Sequence, residues 1–127
     1  MRKHIAIVYN KPEPSRYDAT GEVKAALGVL DAVQAVEQSL LELDYSVKLL
    51  PLTFPFEPER EKLKFQEFDL VFNLFEGFCG YPETEALVPE TLDELGIPYT
   101  GCRGSILRLA LDKAKVKVFL QAAGIPT

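Results

Sequence analysis

Histidine is almost missing from this 127-residue chain, with His4 the only one, and there are just two cysteines, Cys79 and Cys102. A serine–histidine–acid hydrolase needs an imidazole beside its nucleophile, and the sole imidazole here sits at the chain start. A Cys/His zinc centre needs clustered ligands, and no CxxC pair exists. The cysteines therefore read as two reduced thiols of a cytoplasmic protein. No apolar run approaches the roughly 18 residues that a membrane helix requires. Met1-Arg2-Lys3 carries the charge of a secretion signal, but Ile5 to Tyr9 is too short to be its apolar core. Positive charge is also in deficit, with 14 Lys and Arg against 19 Asp and Glu and a net charge of −5. That is the wrong sign for a nucleic-acid partner, which demands a basic face. Neither GxGxxG nor GxxxxGK[ST] occurs, which excludes the usual dinucleotide fingerprint and the P-loop.

What is present alternates between two periodicities. His4 to Tyr9 is a β-branched run suited to a strand buried on both faces. "NKPEPSRYDATG" (Asn10 to Gly21) is a polar loop punctuated by proline and glycine. From Glu22, the residues Val23, Leu27, Leu30, Val33, Val36, Leu40 and Leu43 recur every three or four positions and predict one buried helical stripe, with Asp18 or Thr20 as its cap. Tyr45 to Leu52 reads as a second strand, Pro58 to Phe68 as a short charged helix and Asp69 to Leu74 as a third strand. "ETEALVPETLDELG" predicts a helix closed by Gly96, with Pro89 forcing a kink or a late start. "IPYTG" (Ile97 to Gly101) reads as a fourth strand, and Ser105 to Gly124 as one broken helix or two. The expected fold is α/β, a Rossmann-like open parallel sheet of about four strands with helices on both faces. One domain occupies residues 1–123, and residues 124–127 read as a linker.

In such sheets ligands bind beyond the carboxyl ends of the strands. Three loops lead from those ends: "NKPEPSRYDATG", "FEGFCGYPETE" and "TGCRGS". Two readings compete, a ligand site and plain solvated connections. Glu76 directly follows an apolar strand beside Gly77, where its carboxylate could accept hydrogen bonds from an ammonium group. Glu83 and Glu85 open a helix, where negative charge suits the helix dipole whatever the function. Arg103, Arg108, Lys113, Lys115 and Lys117 cluster within fifteen residues of an otherwise acidic chain. Lys113 and Lys117 share a helical face, so an anion between them would relieve their repulsion, although a solvated face is the simpler reading.

"FDLVFNLFEG", "ALVPETLDELGIPYTG" and "LALDKAKVKVFLQAAGIPT" resemble the amino-terminal, preATP-grasp domain of the D-alanine–D-alanine ligase family of ATP-grasp enzymes. The resemblance runs over Phe68 to Thr127. It rests on a G-[IL]-P-Y-T-G turn at Gly96 to Gly101 and on D-K-x-x-x-K at Asp112 to Lys117. It implies that relatives continue past Gly124-Ile125-Pro126 into the domains that hold ATP and Mg²⁺. It also implies a reaction in which two amino acids are joined through an acyl phosphate, in peptidoglycan precursor synthesis, by a homodimer. In that setting Lys113 and then Lys117 face the nucleotide phosphates, while Glu76, Gly77 and Glu13 border the first amino acid. Asp18 and Glu22 compete with Glu13 for that role. The chain departs from the family after its first strand, where "YNKPEPSRYDATGE" replaces a glycine pair followed by serine and glutamate. It departs again after the third strand, where Glu76-Gly77 replaces His-Gly. The alternatives are a stand-alone module binding a small anion or nucleotide, or a dimerisation domain that uses Thr53 to Phe56.

Overall fold

A computed structural model describes residues 2–13 and 20–127, and of residues 20–23, 25 and 26 it describes the backbone alone. Asp18 and the side chains of Thr20 and Glu22 lie outside that description. The elements are β1 (His4–Asn10), α1 (Thr20–Glu42), β2 (Ser46–Leu52), α2 (Phe56–Lys64), β3 (Leu70–Asn73), a 3-10 turn (Pro82–Ala86), α3 (Leu87–Leu95), α4 (Gly104–Ala110) and α5 (Lys113–Ala122). The three strands form a parallel sheet in the order β2-β1-β3, with Ile5 opposite Val47 on one side and Leu70 on the other.

The alternation of side chains along β1 builds two cores. Ala6 and Val8 join Leu50, Leu52 and Val71 under α2 and α3, which contribute Phe56, Leu63, Val88 and Leu92. Ile7 and Tyr9 point the other way and meet Val29, Val33, Val36 and Leu40 of α1. Helices thus cover both faces, as expected of a strand with five consecutive buried residues.

Three expectations are corrected in detail. The fourth strand is reduced to a single parallel bridge, Val71 to Tyr99. Val71 N–H donates to the Pro98 carbonyl and Thr100 N–H to the Val71 carbonyl, but Pro98 has no N–H to extend the ladder, and Gly101 (φ 94°) turns the chain away. Of the expected α1 stripe, Val33, Val36 and Leu40 pack on the sheet together with Val29, whereas Leu27 is 54% exposed and Leu43 68% exposed. A 23-residue helix is about 35 Å long and outruns a seven-residue strand of about 23 Å, so its ends have no sheet beneath them. The charged helix runs over Phe56–Lys64 rather than to Phe68. Pro89 falls in the first turn of α3, where its missing N–H has no helical acceptor to lose, and a 3-10 turn precedes it. Gly96 (φ 68°) closes α3 in the left-handed conformation, as the sequence predicts.

The carboxyl-terminal segment forms two helices. Asp112 separates them and caps the second, its side chain accepting a hydrogen bond from Lys115 N–H at 3.1 Å. Because α5 buries no residue, it touches the rest of the molecule chiefly through α4.

Candidate functional site

From β1 the chain crosses to β2 on one side, and β3 then pairs on the other, so the strand order reverses beside β1. The crevice beyond the carboxyl ends of β1 and β3 is the switch point at which open parallel sheets take ligands. Three residues singled out from the sequence lie on the loops that leave these strands. Glu76 and Gly77 follow β3 closely, and Glu13 follows β1.

Side-chain hydrogen bonds hold the loop after β3 step by step. Leu74 N–H donates to the Val8 carbonyl at 2.8 Å. Phe75 N–H donates to Asn73 Oδ1 at 3.1 Å, and Asn73 N–H to Thr100 Oγ1 at 3.0 Å. Glu76 N–H donates to Asn10 Oδ1 at 2.9 Å, while Asn10 Nδ2 donates to the Gly77 carbonyl at 2.7 Å. Phe78 N–H donates to Thr84 Oγ1 at 2.7 Å, and that hydroxyl donates onward to the Tyr81 carbonyl. Gly77 is buried at φ 83°, and a Cβ there would lie 3.1 Å from the Glu85 amide nitrogen. Only glycine fits that position without displacing the turn behind it.

Two cavities open along this edge. One, of about 340 Å³, is lined by Gly28, Val29, Ala32, Leu74 and Glu76. The other, of about 480 Å³, has Asn10, Lys11, Glu13, Phe54, Phe78 and Tyr81 among its lining residues. Its aromatic wall is a linked set. Phe54 stacks on Tyr81 with centroids 5.1 Å apart, and it meets Phe78 edge-on at 5.6 Å. Phe54 therefore faces this cavity while Phe56, two residues on, enters the core. A cavity of about 500 Å³ lies at the opposite, amino-terminal edge of the strands, with His4, Phe68 and Ile97 in its wall. We favour the carboxyl edge because the polar loops and the exposed Glu76 and Glu13 side chains gather there.

The basic cluster divides. Arg108 grips Glu90 of α3 with both ends of its guanidinium, Nε to Oε1 at 2.6 Å and Nη2 to Oε2 at 2.9 Å. That hydrogen bonding holds the Glu90 carboxyl below its ordinary range and raises Arg108 further. Arg108 is thus a structural fastener between α3 and α4. Lys113 and Lys117 are exposed on α5, make no ion pair among the described residues, and line neither cavity at the carboxyl edge. Burial raises the Tyr9 phenol, assisted by Glu37, and burial together with the hydrogen bond to Asp93 raises Tyr99. Both hydroxyls stay protonated near neutral pH.

The sequence reading missed Asn10, Thr84 and Thr100, the side chains that fasten the site. Short polar residues at strand ends commonly bond to nearby backbone, but their partners here are up to 67 residues away. Among the described residues, no group of three or more His, Cys, Asp or Glu side chains could hold a metal ion. No helix among them is long and apolar enough to cross a membrane.

Comparison with known proteins gives D-alanine–D-alanine ligases among the sequence relatives. The chain is 35% identical over 99 residues to a D-alanine–D-alanine ligase of Actinobacillus pleuropneumoniae, covering 77% of this chain and 30% of that protein. It is 33% identical over 93 residues to the ligase of Haemophilus ducreyi, covering 73% of this chain and 29% of the relative. With D-alanine–D-alanine ligase B of Chromobacterium violaceum it shares 38% identity over 72 residues, covering 57% of this chain and 23% of the relative. The chain spans less than a third of the length of these curated relatives, matching their amino-terminal portion. No family model and no solved structure matches it.

Proposed function

The chain is a divergent, partial member of the D-alanine–D-alanine ligase family, and from that premise we propose that it is the preATP-grasp domain of an ATP-dependent carboxylate–amine ligase. The ligase would join two amino acids through an acyl phosphate in peptidoglycan precursor synthesis, in the cytoplasm. The observation that carries this reading is the switch-point crevice, where an exposed carboxylate, Glu76, stands on a loop fixed from both sides.

Each residue has a distinct task in this proposal. The Glu76 carboxylate accepts hydrogen bonds from the ammonium group of the first amino acid, a charge-assisted contact. Gly77 borders that contact from behind, buried, and lets the loop turn so that Glu76 stays exposed. Glu13 supplies a second carboxylate from the loop after β1. Lys113 and Lys117 offset phosphate charge from the exposed face of α5. ATP with Mg²⁺ would supply the phosphoryl group that activates a carboxylate for attack by an amine. The residues present fit a share of that charge, since two lysines four apart on an exposed helix repel each other and gain from a bridging anion. Enclosure of the nucleotide and ligation of the metal are assigned to polypeptide outside this chain.

The test is ATP-dependent phosphate release by the protein its reading frame encodes, run against a panel of D- and L-amino acids. Amino-acid-dependent release is expected, with Lys113→Ala lowering kcat/KM about 100-fold and Lys117→Ala lowering it less. Absence of release with every amino acid would overturn the proposal. Unchanged turnover in Lys113→Ala would remove that residue's role.

We also infer that the protein pairs as a homodimer. Leu27, Leu41 and Phe54 are large apolar side chains exposed on α1 and at the end of β2, and burying them against a second copy would be favourable. Sedimentation at tens of micromolar should show a dimer, and a monomer alone would refute the pairing.

A further inference from the structure

The loop that carries Glu76 has one section held by a side chain from far away in the sequence. Leu74 and Phe75 are held by Val8 and Asn73, and Phe78 by Thr84. Between them, the Glu76–Gly77 segment takes both of its side-chain partners from Asn10, the last residue of β1. The contacts are 2.9 and 2.7 Å long, and the Asn10 side chain bridges the switch point from the central strand to the loop beyond β3.

Chemistry singles out asparagine for this bridge. Glu76 presents a donor and Gly77 an acceptor, and one carboxamide answers both at once. Aspartate could accept from Glu76 but would set its charge against the Gly77 carbonyl. Alanine or glycine would do neither. Space behind Gly77 is short as well, since a Cβ there would lie 3.1 Å from the Glu85 amide nitrogen. Two hydrogen bonds from one carboxamide thus hold the peptide, and the exposed Glu76 side chain extends from it.

We propose that Asn10 is a positioning residue of the switch-point site, acting through Glu76: its carboxamide clamps the Glu76–Gly77 peptide so that the Glu76 carboxylate meets the ammonium group of the amino acid substrate. This rests on the role proposed for Glu76 above. The clamp does not touch the substrate. Its effect is on binding geometry, so it governs KM for the amino acid more than kcat.

A double-mutant cycle tests it, with the protein encoded by the reading frame, ATP and D-alanine as the probe. Asn10→Ala should raise KM for D-alanine about tenfold, roughly the loss of one charge-assisted hydrogen bond, with kcat changed less than about twofold. Asn10→Asp, which keeps one of the two bonds, should fall between wild type and Asn10→Ala. In a Glu76→Gln background, Asn10→Ala should add almost nothing, because its effect passes through the carboxylate. Hydrogen exchange at the Glu76 amide should accelerate in Asn10→Ala while the β1 amides stay protected, which separates loss of the clamp from loss of the fold. If Glu76→Gln raises KM while Asn10→Ala does not, or if the two effects multiply, positioning by Asn10 is refuted and the ligase reading stands. If Glu76→Gln leaves KM unchanged, the role of Glu76 fails and this inference fails with it; if no amino acid of the panel supports turnover, the ligase reading itself fails.

Discussion

Val8, Val71 and Leu92 are fully buried between the sheet and the α2–α3 layer, whereas α5 buries no residue and leaves Val118 64% and Phe119 58% exposed. The carboxylates assigned to the substrate belong to the first region and the lysines assigned to the nucleotide belong to the second. In the first, a loop is fixed by bonds from β1, from Thr84 and from Thr100. In the second, α5 is joined to α4, which is tied to α3 by the Glu90–Arg108 pair. Elements with few buried contacts open most easily, so the two halves of the proposed site rest on unequal foundations. The lesson is that a charge cluster marks a surface, while a fixed position for it requires packing. On the proposed function, polypeptide outside this chain completes the packing around α5.

The sharpest way to break this comparison is to remove a large side chain from each region. Leu92→Ala should cost about 3 kcal/mol, because the cavity it leaves is lined by a core that relaxes only in part. Phe119→Ala should shift stability by less than about 0.5 kcal/mol, as exposed sites do. Urea denaturation of the 127-residue chain measures both. Equal costs would mean that α5 is packed against something in solution and that the contrast is wrong. A second, smaller effect is expected at the site itself. Gly77→Ala combines a positive φ with a contact at 3.1 Å and should cost about 2 kcal/mol, accompanied by faster exchange of the Glu76 amide. A neutral Gly77→Ala would show that the loop has slack and would weaken the case for a clamped Glu76.

The parts of the fold governed by local pattern were legible in the sequence. The apolar run of β1, the Gly96 cap and the effect of Pro89 each follow from the chemistry of neighbouring residues, and they appear as expected. The buried face of α1 was legible only in part: Val33, Val36 and Leu40 pack on the sheet as expected, but Leu27 and Leu43 do not, because alanine, valine and leucine occur on several sides of that helix. Which side is buried depends on where the sheet ends beneath it. Glu76 and Glu13 stand on loops at the same strand edge but line different cavities, and the buried Gly77 lines neither. Asn10 escaped notice because its meaning lies 66 and 67 residues away, with Glu76 and Gly77. The basic cluster misled in part, since Arg108 is a partner of Glu90 and Asp112 of D-K-x-x-x-K is also a helix cap. A motif in sequence does not separate the residues that hold a helix from those that face a ligand.

The smallest expected effect concerns the Glu90–Arg108 ion pair, which joins the two regions. Hydrogen bonding to Arg108 depresses the Glu90 carboxyl in the folded chain relative to its ordinary value of 4.5. The unfolded chain therefore binds a proton at Glu90 more readily than the folded chain does, and stability rises with pH across that range. The contribution is fully present above the ordinary carboxylate range and is lost as pH falls through the lower value that Glu90 has when folded. Both side chains are part-exposed, 46% for Arg108 and 37% for Glu90, so water and salt screen the pair and keep its contribution small. Glu90→Gln should lower the urea midpoint slightly at pH 7, with the difference from wild type shrinking in acid and in 1 M salt. Gly104→Ala should have a similar consequence, since a Cβ there would stand 2.5 Å from Glu90 Cγ and push the carboxylate out of the guanidinium fork. A difference that persists unchanged at pH 3 and at high salt would mean that Glu90 acts by packing over Gly104 rather than by charge. In that case the join between α3 and α4 would be apolar after all, and α4 would belong with the core rather than with α5.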